Sequence, residues 1–146
     1  MAAVLEFFSK QGIPVASLDE STFITHYQGD NGHWRCFGAA DDEAQTFVFY
    51  SEPDVEVAAE RVGAVVEYLM RATAGLVVGN FEFDFDTRGV VFKTSIDVES
   101  DRLTPALVAN VVVANVVVVD RYLPGLQQVA AGTAEPGEAV ALAEGS

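Results

Sequence analysis

Two histidines and a single cysteine, His26, His33 and Cys36, are the side chains best suited to hold a metal ion or to act as base and nucleophile. His33 and Cys36 lie three residues apart. On a β-strand, where successive side chains point to opposite faces, that spacing turns them away from each other, so a shared metal site is not expected and the thiol reads as partly buried. Glu82, Asp84 and Asp86 form the second group, at every other position, and so share one strand face. Carboxylates placed this way could pair as acid and base or collect calcium. They lack the loop spacing and fixed turn glycine of an EF-hand, and Phe81, Phe83 and Phe85 on the alternate positions need burial. The acidic face is therefore expected to be the solvent side of a half-buried sheet.

Other catalytic patterns are missing from the sequence. Gly75, Gly79 and Gly89 do not form a glycine-rich strand-to-helix turn of the kind that cradles phosphates. The serines have no nucleophile-elbow context, and two histidines close together in one hairpin leave a hydrolytic triad without a base. The sequence leads to no expected catalytic residue, no cofactor-binding residue and no metal ligand.

The chain has 146 residues, half of them apolar, with 22 acidic and 8 basic side chains and a formal net charge of -14. That is the size and composition of one domain with one core. Nucleic acid and anionic membrane surfaces require clustered Lys or Arg, yet Lys10 and Lys93 are the only lysines. Neither is expected as a partner. One cysteine excludes an intramolecular disulfide, and Met1–Lys10 has no basic leader or cleavage site, so the cytoplasm is the expected compartment. The apolar stretch Leu103–Val119 is interrupted by Asn110 and Asn115 and is shorter than the roughly twenty residues a bilayer crossing needs, so it reads as a buried core helix.

The elements that position these residues follow from periodicity. Val4, Leu5, Phe7 and Phe8 define a short helix over Ala2–Gln11, stopped by Gly12 and Pro14. Thr22–Gln28, Trp34–Ala40 and Gln45–Ser51 are rich in aromatic and β-branched residues and read as strands, reversed at Gly29-Asp30-Asn31-Gly32 and at Asp41-Asp42-Glu43. After Pro53, with Asp54 as expected N-cap, Val55, Ala59, Val62, Val66 and Leu69 mark a helix that ends at Gly75, with Glu67 and Arg71 spaced for an ion pair. A strand through Phe81–Phe85 turns at Asp86-Thr87-Arg88-Gly89 into Val90–Val98, a reversal that would set Phe83 opposite Phe92 and Glu82 opposite Lys93. Thr104 and Pro105 then form a helix start. Valine disfavours helix, but the apolar run Pro105–Val119 is too long for an ordinary strand and is read as helix, kinked or ended by Pro124. Residues 133–146 are expected to be a short C-terminal tail or helix outside a single domain over 1–132.

From Leu69 to Val129 the chain resembles the YbjN-domain family. The likeness rests on Leu69-Met70-Arg71-Ala72 with Gly75-Leu76, on Gly79-Asn80-Phe81-Glu82-Phe83-Asp84, on Lys93 to Glu99 with Asp101-Arg102-Leu103, and on Asp120-Arg121-Tyr122-Leu123-Pro124-Gly125. Members occur in bacteria, including cyanobacteria, and are described as candidate sensory transduction regulators. The resemblance implies a type III secretion chaperone-like fold, α+β, with an antiparallel five-stranded sheet and order α-β-β-β-α-β-β-α, the order also read from the pattern. Thr73 stands where the family has asparagine, and Asp86-Thr87-Arg88-Gly89 where it has an Asp-Gly turn. The family carries no catalytic residues over to this chain.

Together these readings favour a non-enzymatic, chaperone-like or adaptor module that binds an unidentified protein partner and forms a homodimer. The expected contact residues are Glu82, Asp84, Asp86 and Lys93 on the sheet, with Val112 and Val116 on the apolar helix, because a helix apolar on all sides needs cover on all sides. A small-ligand-binding stress regulator is the alternative, and a small enzyme or metal protein using His26, His33 or Cys36 a third.

Overall fold

The computed structural model describes residues 1–145. The terminal Ser146 of the expected tail lies outside the described residues. Among the described residues four α-helices and six strands follow one another as α1 (Ala2–Lys10), β1 (Val15–Ser17), β2 (Thr22–Gln28), β3 (His33–Asp41), β4 (Thr46–Glu52), α2 (Val62–Ala74), β5 (Asn80–Phe83), β6 (Val90–Asp97), α3 (Pro105–Ala131) and α4 (Pro136–Ala143). The strands form one antiparallel sheet in the order β1-β2-β3-β4-β6-β5. The fold class is α+β as expected, but the sheet has six strands rather than five. The extra one, β1, is a three-residue edge strand paired to β2, too short to show a period-two pattern in the sequence.

The inner face of the sheet carries Phe23, Trp34, Cys36, Phe47, Phe49, Phe81, Phe92 and Val90, all buried. Helices reach the sheet from that side: Phe8 of α1 packs on Phe23 and Phe49, and α3 lies across β4 and β6. Helix α3 starts as its sequence dictates, with the Thr104 hydroxyl accepting from the Leu107 N–H and Pro105 in the first turn, where a missing N–H costs nothing. It does not end at Pro124. It runs 27 residues to a left-handed Gly132 cap. By length and composition it could cross a membrane, but here it lies on the sheet with Val108, Val111, Val112, Asn115, Val116 and Val119 buried.

Two further expectations are corrected. Asp54 caps nothing: Pro53–Ala58 is an extended connector, a 3₁₀ turn follows at Ala59–Arg61, and the buried face of α2 is Val65, Tyr68, Leu69 and Ala72. The Glu67–Arg71 pair is present, at 2.8 Å. The β5–β6 register differs by two residues from the one read in the sequence, with Phe81 opposite Phe92, Asn80 opposite Lys93 and Glu82 opposite Val91. The strand stops at Phe83, because the Asp84 N–H closes on the Gly89 carbonyl and the Asp84 carboxylate accepts from the N–H groups of Asp86 and Thr87. Of the expected C-terminal tail or helix, Pro136–Ala143 is a helix, α4. Pro136, Ala139 and Val140 are buried, α4 packs on α2 and α3, and Glu144 just beyond it accepts a hydrogen bond from the Tyr122 hydroxyl at 2.8 Å.

Candidate functional site: the uncovered sheet face and its end cleft

Alternation that buries Phe23, Cys36 and Phe49 turns their neighbours outward. Across the middle of this outer face the register aligns Ala16, Ile24, Phe37, Tyr50, Lys93 and Asn80 in one row. The rings of Phe37 and Tyr50 stack at 4.8 Å with an interplanar angle of 14°. On one side of this row lie His26, Arg35, Glu52, Val91 and Glu82; on the other lie Thr22, Ala39, Val48 and Ser95. Ile24, Phe37, Val48, Tyr50 and Val91 are only half-buried, shielded by one another rather than by a second layer.

Two ion pairs are part of this face. Arg35 meets Glu52 at 2.6 Å, and Lys93 meets Glu82 at 2.9 Å. The hydrogen bond from Lys93 to the Glu82 carboxylate raises the ammonium pKa above its ordinary value. Both pairs are partly exposed, so each contributes at most about 1 kcal/mol to stability.

At one end of the face a cleft of about 580 Å³ is walled by His26, His33 and Arg35, by Glu52 to Val55 of the connector, and by Leu123 and Gln127 of α3. The structure thus brings His26 and His33 together beside Arg35 and turns Cys36 away to the inner face, as the three-residue spacing required. Burial pushes the Cys36 thiol up to about 11. Among the described residues no three His, Cys, Asp or Glu side chains are grouped to hold a metal ion.

The expected contact residues divide. Glu82 and Lys93 lie on the outer face, paired to each other. Asp84 and Asp86 lie in the β5–β6 loop, with the Asp84 carboxylate folded onto the loop backbone, so the three acids do not share a strand face. Val112 and Val116 are 4% and 3% exposed and pack inward; the outward side of α3 carries Val113 and Val117, at 51% and 49%. A helix buried along one side only needs less cover than an all-round apolar sequence implied.

Sequence reasoning missed a buried polar chain beneath the face. Asn115 Nδ2 donates to the carbonyls of Phe49 and Phe92 at 3.0 Å each and its Oδ1 accepts from the Ser51 hydroxyl at 2.6 Å, while Ser51 accepts from the Trp34 indole N–H at 2.8 Å. Thr94 Oγ1 donates to the Val111 carbonyl at 2.8 Å. These bonds fix α3 against β3, β4 and β6. The signal was present in the sequence, since an asparagine in a valine run is costly to bury unless it is fully bonded.

No protein-family model and no curated protein sequence matches the chain. Solved structures do. The crystal structure of YbjN, a candidate transcription regulator from E. coli, superposes with a TM-score of 0.61 at 14% identity, covering 90% of this chain and 91% of that one. The HopA1-SchA chaperone-effector complex contains a chain that superposes with a TM-score of 0.50 at 13% identity, covering 87% of this chain and 91% of that one. The chain therefore has a YbjN-like, type III secretion chaperone-like α+β fold.

Proposed function

We propose that the chain is a non-enzymatic protein-binding module, chaperone-like or adaptor in action, that works in the cytoplasm through its uncovered sheet face. The observation that carries this reading is a six-stranded sheet with helices on one face and a stacked Phe37–Tyr50 row, half-buried, on the other. A contiguous apolar row rimmed by polar groups is the anatomy of a protein contact surface. The fold of a chain found in a chaperone-effector complex supports a protein as the partner. Nucleic acid is disfavoured by the -14 net charge. Capture with crosslinking from the native cell tests it. A partner recovered with the natural chain should be lost with Phe37→Asp combined with Tyr50→Asp and kept with Val113→Asp combined with Val117→Asp. The reverse pattern would move the contact to α3.

A regulator that binds a small ligand is the second reading, favoured by the end cleft. Its volume suits a small molecule, and it sets His26, His33 and Arg35 against apolar Val55, Val90 and Leu123. A bound mass in native spectrometry that disappears on filling the cleft with Gly32→Leu or Val55→Trp would support it.

A further inference from the structure

We propose that the end cleft binds a divalent transition-metal ion of the zinc, nickel and copper class through the imidazoles of His26 and His33, a proposal that rests on the small-ligand reading above and names the ligand. Topology is the first argument. These two are the only histidines in the chain. His26 lies opposite Arg35 and His33 opposite Gln28, so the two histidines stand on one diagonal of the β2–β3 hairpin, both exposed on its outer face. Diagonal side chains are rooted about 7 to 8 Å apart, a span that two rings close around an ion about 2.0 to 2.1 Å from each nitrogen. Both line the same cleft.

Availability is the second argument. The neighbours of the pair are engaged: Arg35 meets Glu52 at 2.6 Å, and the Gln28 amide donates to the Gly29 carbonyl at 3.0 Å. Among the described residues neither imidazole has a hydrogen-bond or ion-pair partner, so each keeps a lone pair to give. The frame that carries them is fixed, because the N–H groups of Asp30 and Asn31 at the hairpin tip bond to the Asp120 carboxylate of α3 at 3.0 and 2.8 Å.

Charge and ligand type are the third. Arg35 beside His26 would repel a cation, but Glu52 neutralises it. With Asp54 in the cleft wall and a net charge of -14 on the chain, the field at the cleft attracts one. Imidazole nitrogen selects zinc, nickel and copper over calcium and magnesium, which take oxygen. No third His, Cys, Asp or Glu side chain is grouped with the pair, so the ion keeps open positions toward the cleft, as an exchangeable site does and a closed structural site does not.

Calorimetric titration of the full chain, first stripped of metal, with zinc, nickel and magnesium chloride tests the proposal. The expected result is one zinc or nickel ion per chain with micromolar affinity and no comparable uptake of magnesium. His26→Ala and His33→Ala, each folded by circular dichroism, should each weaken zinc binding by about a hundredfold, because the second imidazole closes on an ion that the first already holds. The double variant should be little worse than either. Two ions per chain, each lost with one variant while the other keeps its affinity, would mean two unrelated surface histidines and overturn the proposal. So does zinc binding that survives the double variant or that magnesium matches, which places the ion on the acidic surface. If no zinc binds, the proposal fails, and native spectrometry separates it from the reading beneath it: an organic mass lost with Val55→Trp leaves the small-ligand reading standing, and the absence of any such mass sinks both.

Discussion

The side-chain amide of Asn31, at the tip of the β2–β3 hairpin, donates to the backbone carbonyl of Asp120 in α3 at 2.9 Å. That carbonyl is the one Pro124 cannot serve, because proline four residues later has no N–H to give. The same aspartate returns the contact: its carboxylate accepts from the N–H groups of Asp30 and Asn31 at 3.0 and 2.8 Å. A Cβ on Gly29 would come within 2.4 Å of that carboxylate, so the hairpin needs glycine there. The hairpin tip and the proline-bearing stretch of α3 thus satisfy each other.

Asn31→Ala should therefore cost about 1 kcal/mol in urea unfolding, the usual worth of a partly exposed hydrogen bond. In a Pro124→Ala background, where residue 124 regains an N–H for the Asp120 carbonyl, the cost of Asn31→Ala should shrink. Equal costs in both backgrounds would show that the proline and the asparagine are unrelated.

This pairing also shows why the sequence was legible in parts. Strands β2, β3 and β4 were read to within a residue or two, because alternation and turn residues are local signals. The true length of α3 was not, because what rescues Pro124 comes from Asn31, far away in the chain. The β5–β6 register failed for a related reason, since the loop that Asp84 closes is longer than a turn centred on Asp86-Thr87-Arg88-Gly89. Helix α4 is short and alanine-rich, and its burial is supplied by α2 and α3, which its own sequence does not encode. At the candidate site the sequence placed His33 and Cys36 on opposite faces correctly. It could not show which side of α3 faces the sheet, and the two valines it named, Val112 and Val116, lie on the buried side.

Asn115→Leu should be the most damaging single change in α3. It removes the partner of Ser51 and two strand carbonyls at a site with no solvent access. Each buried group left unpaired costs about 1 to 3 kcal/mol, so a total loss of about 3 kcal/mol is expected in chemical denaturation. Asn110→Leu, on the exposed side of the same helix, should stay within about 0.5 kcal/mol. The emission of Trp34, bonded to Ser51, should also shift in the first variant and not in the second.

Alkaline pH should unfold the chain earlier than exposed tyrosines and thiols would predict. Burial, followed by the hydrogen bond to the Glu144 carboxylate, pushes Tyr122 up to about 12, and burial, followed by the nearby Tyr122, also raises Tyr68. The unfolded chain then releases these protons near their ordinary values while the folded chain still holds them, so the contribution of these groups to stability is constant below about pH 9 and falls from there toward pH 12. Thermal melts across that window should show the drop. Tyr122→Phe should flatten the part above pH 10, and Cys36→Ala the part that begins near pH 9.

Truncation after Thr133 decides whether the domain ends before α4. Removing α4 uncovers the surface against which Ala139 and Val140 pack and deprives the Tyr122 hydroxyl of Glu144. It also opens the neighbourhood of Tyr68, whose hydroxyl donates to the Tyr122 carbonyl at 2.6 Å inside the same helix junction. Burying side chains of this size contributes about 1 to 3 kcal/mol each, so the shortened chain should lose several kcal/mol and unfold at clearly lower urea. A milder variant, Val140→Asp, should reproduce most of the loss without shortening the chain, because it places a charge where α4 meets α2 and α3. If both proteins melt like the natural one, α4 is an appendage and the core closes at Gly132. If both fall together, α4 belongs to the domain that presents the sheet face.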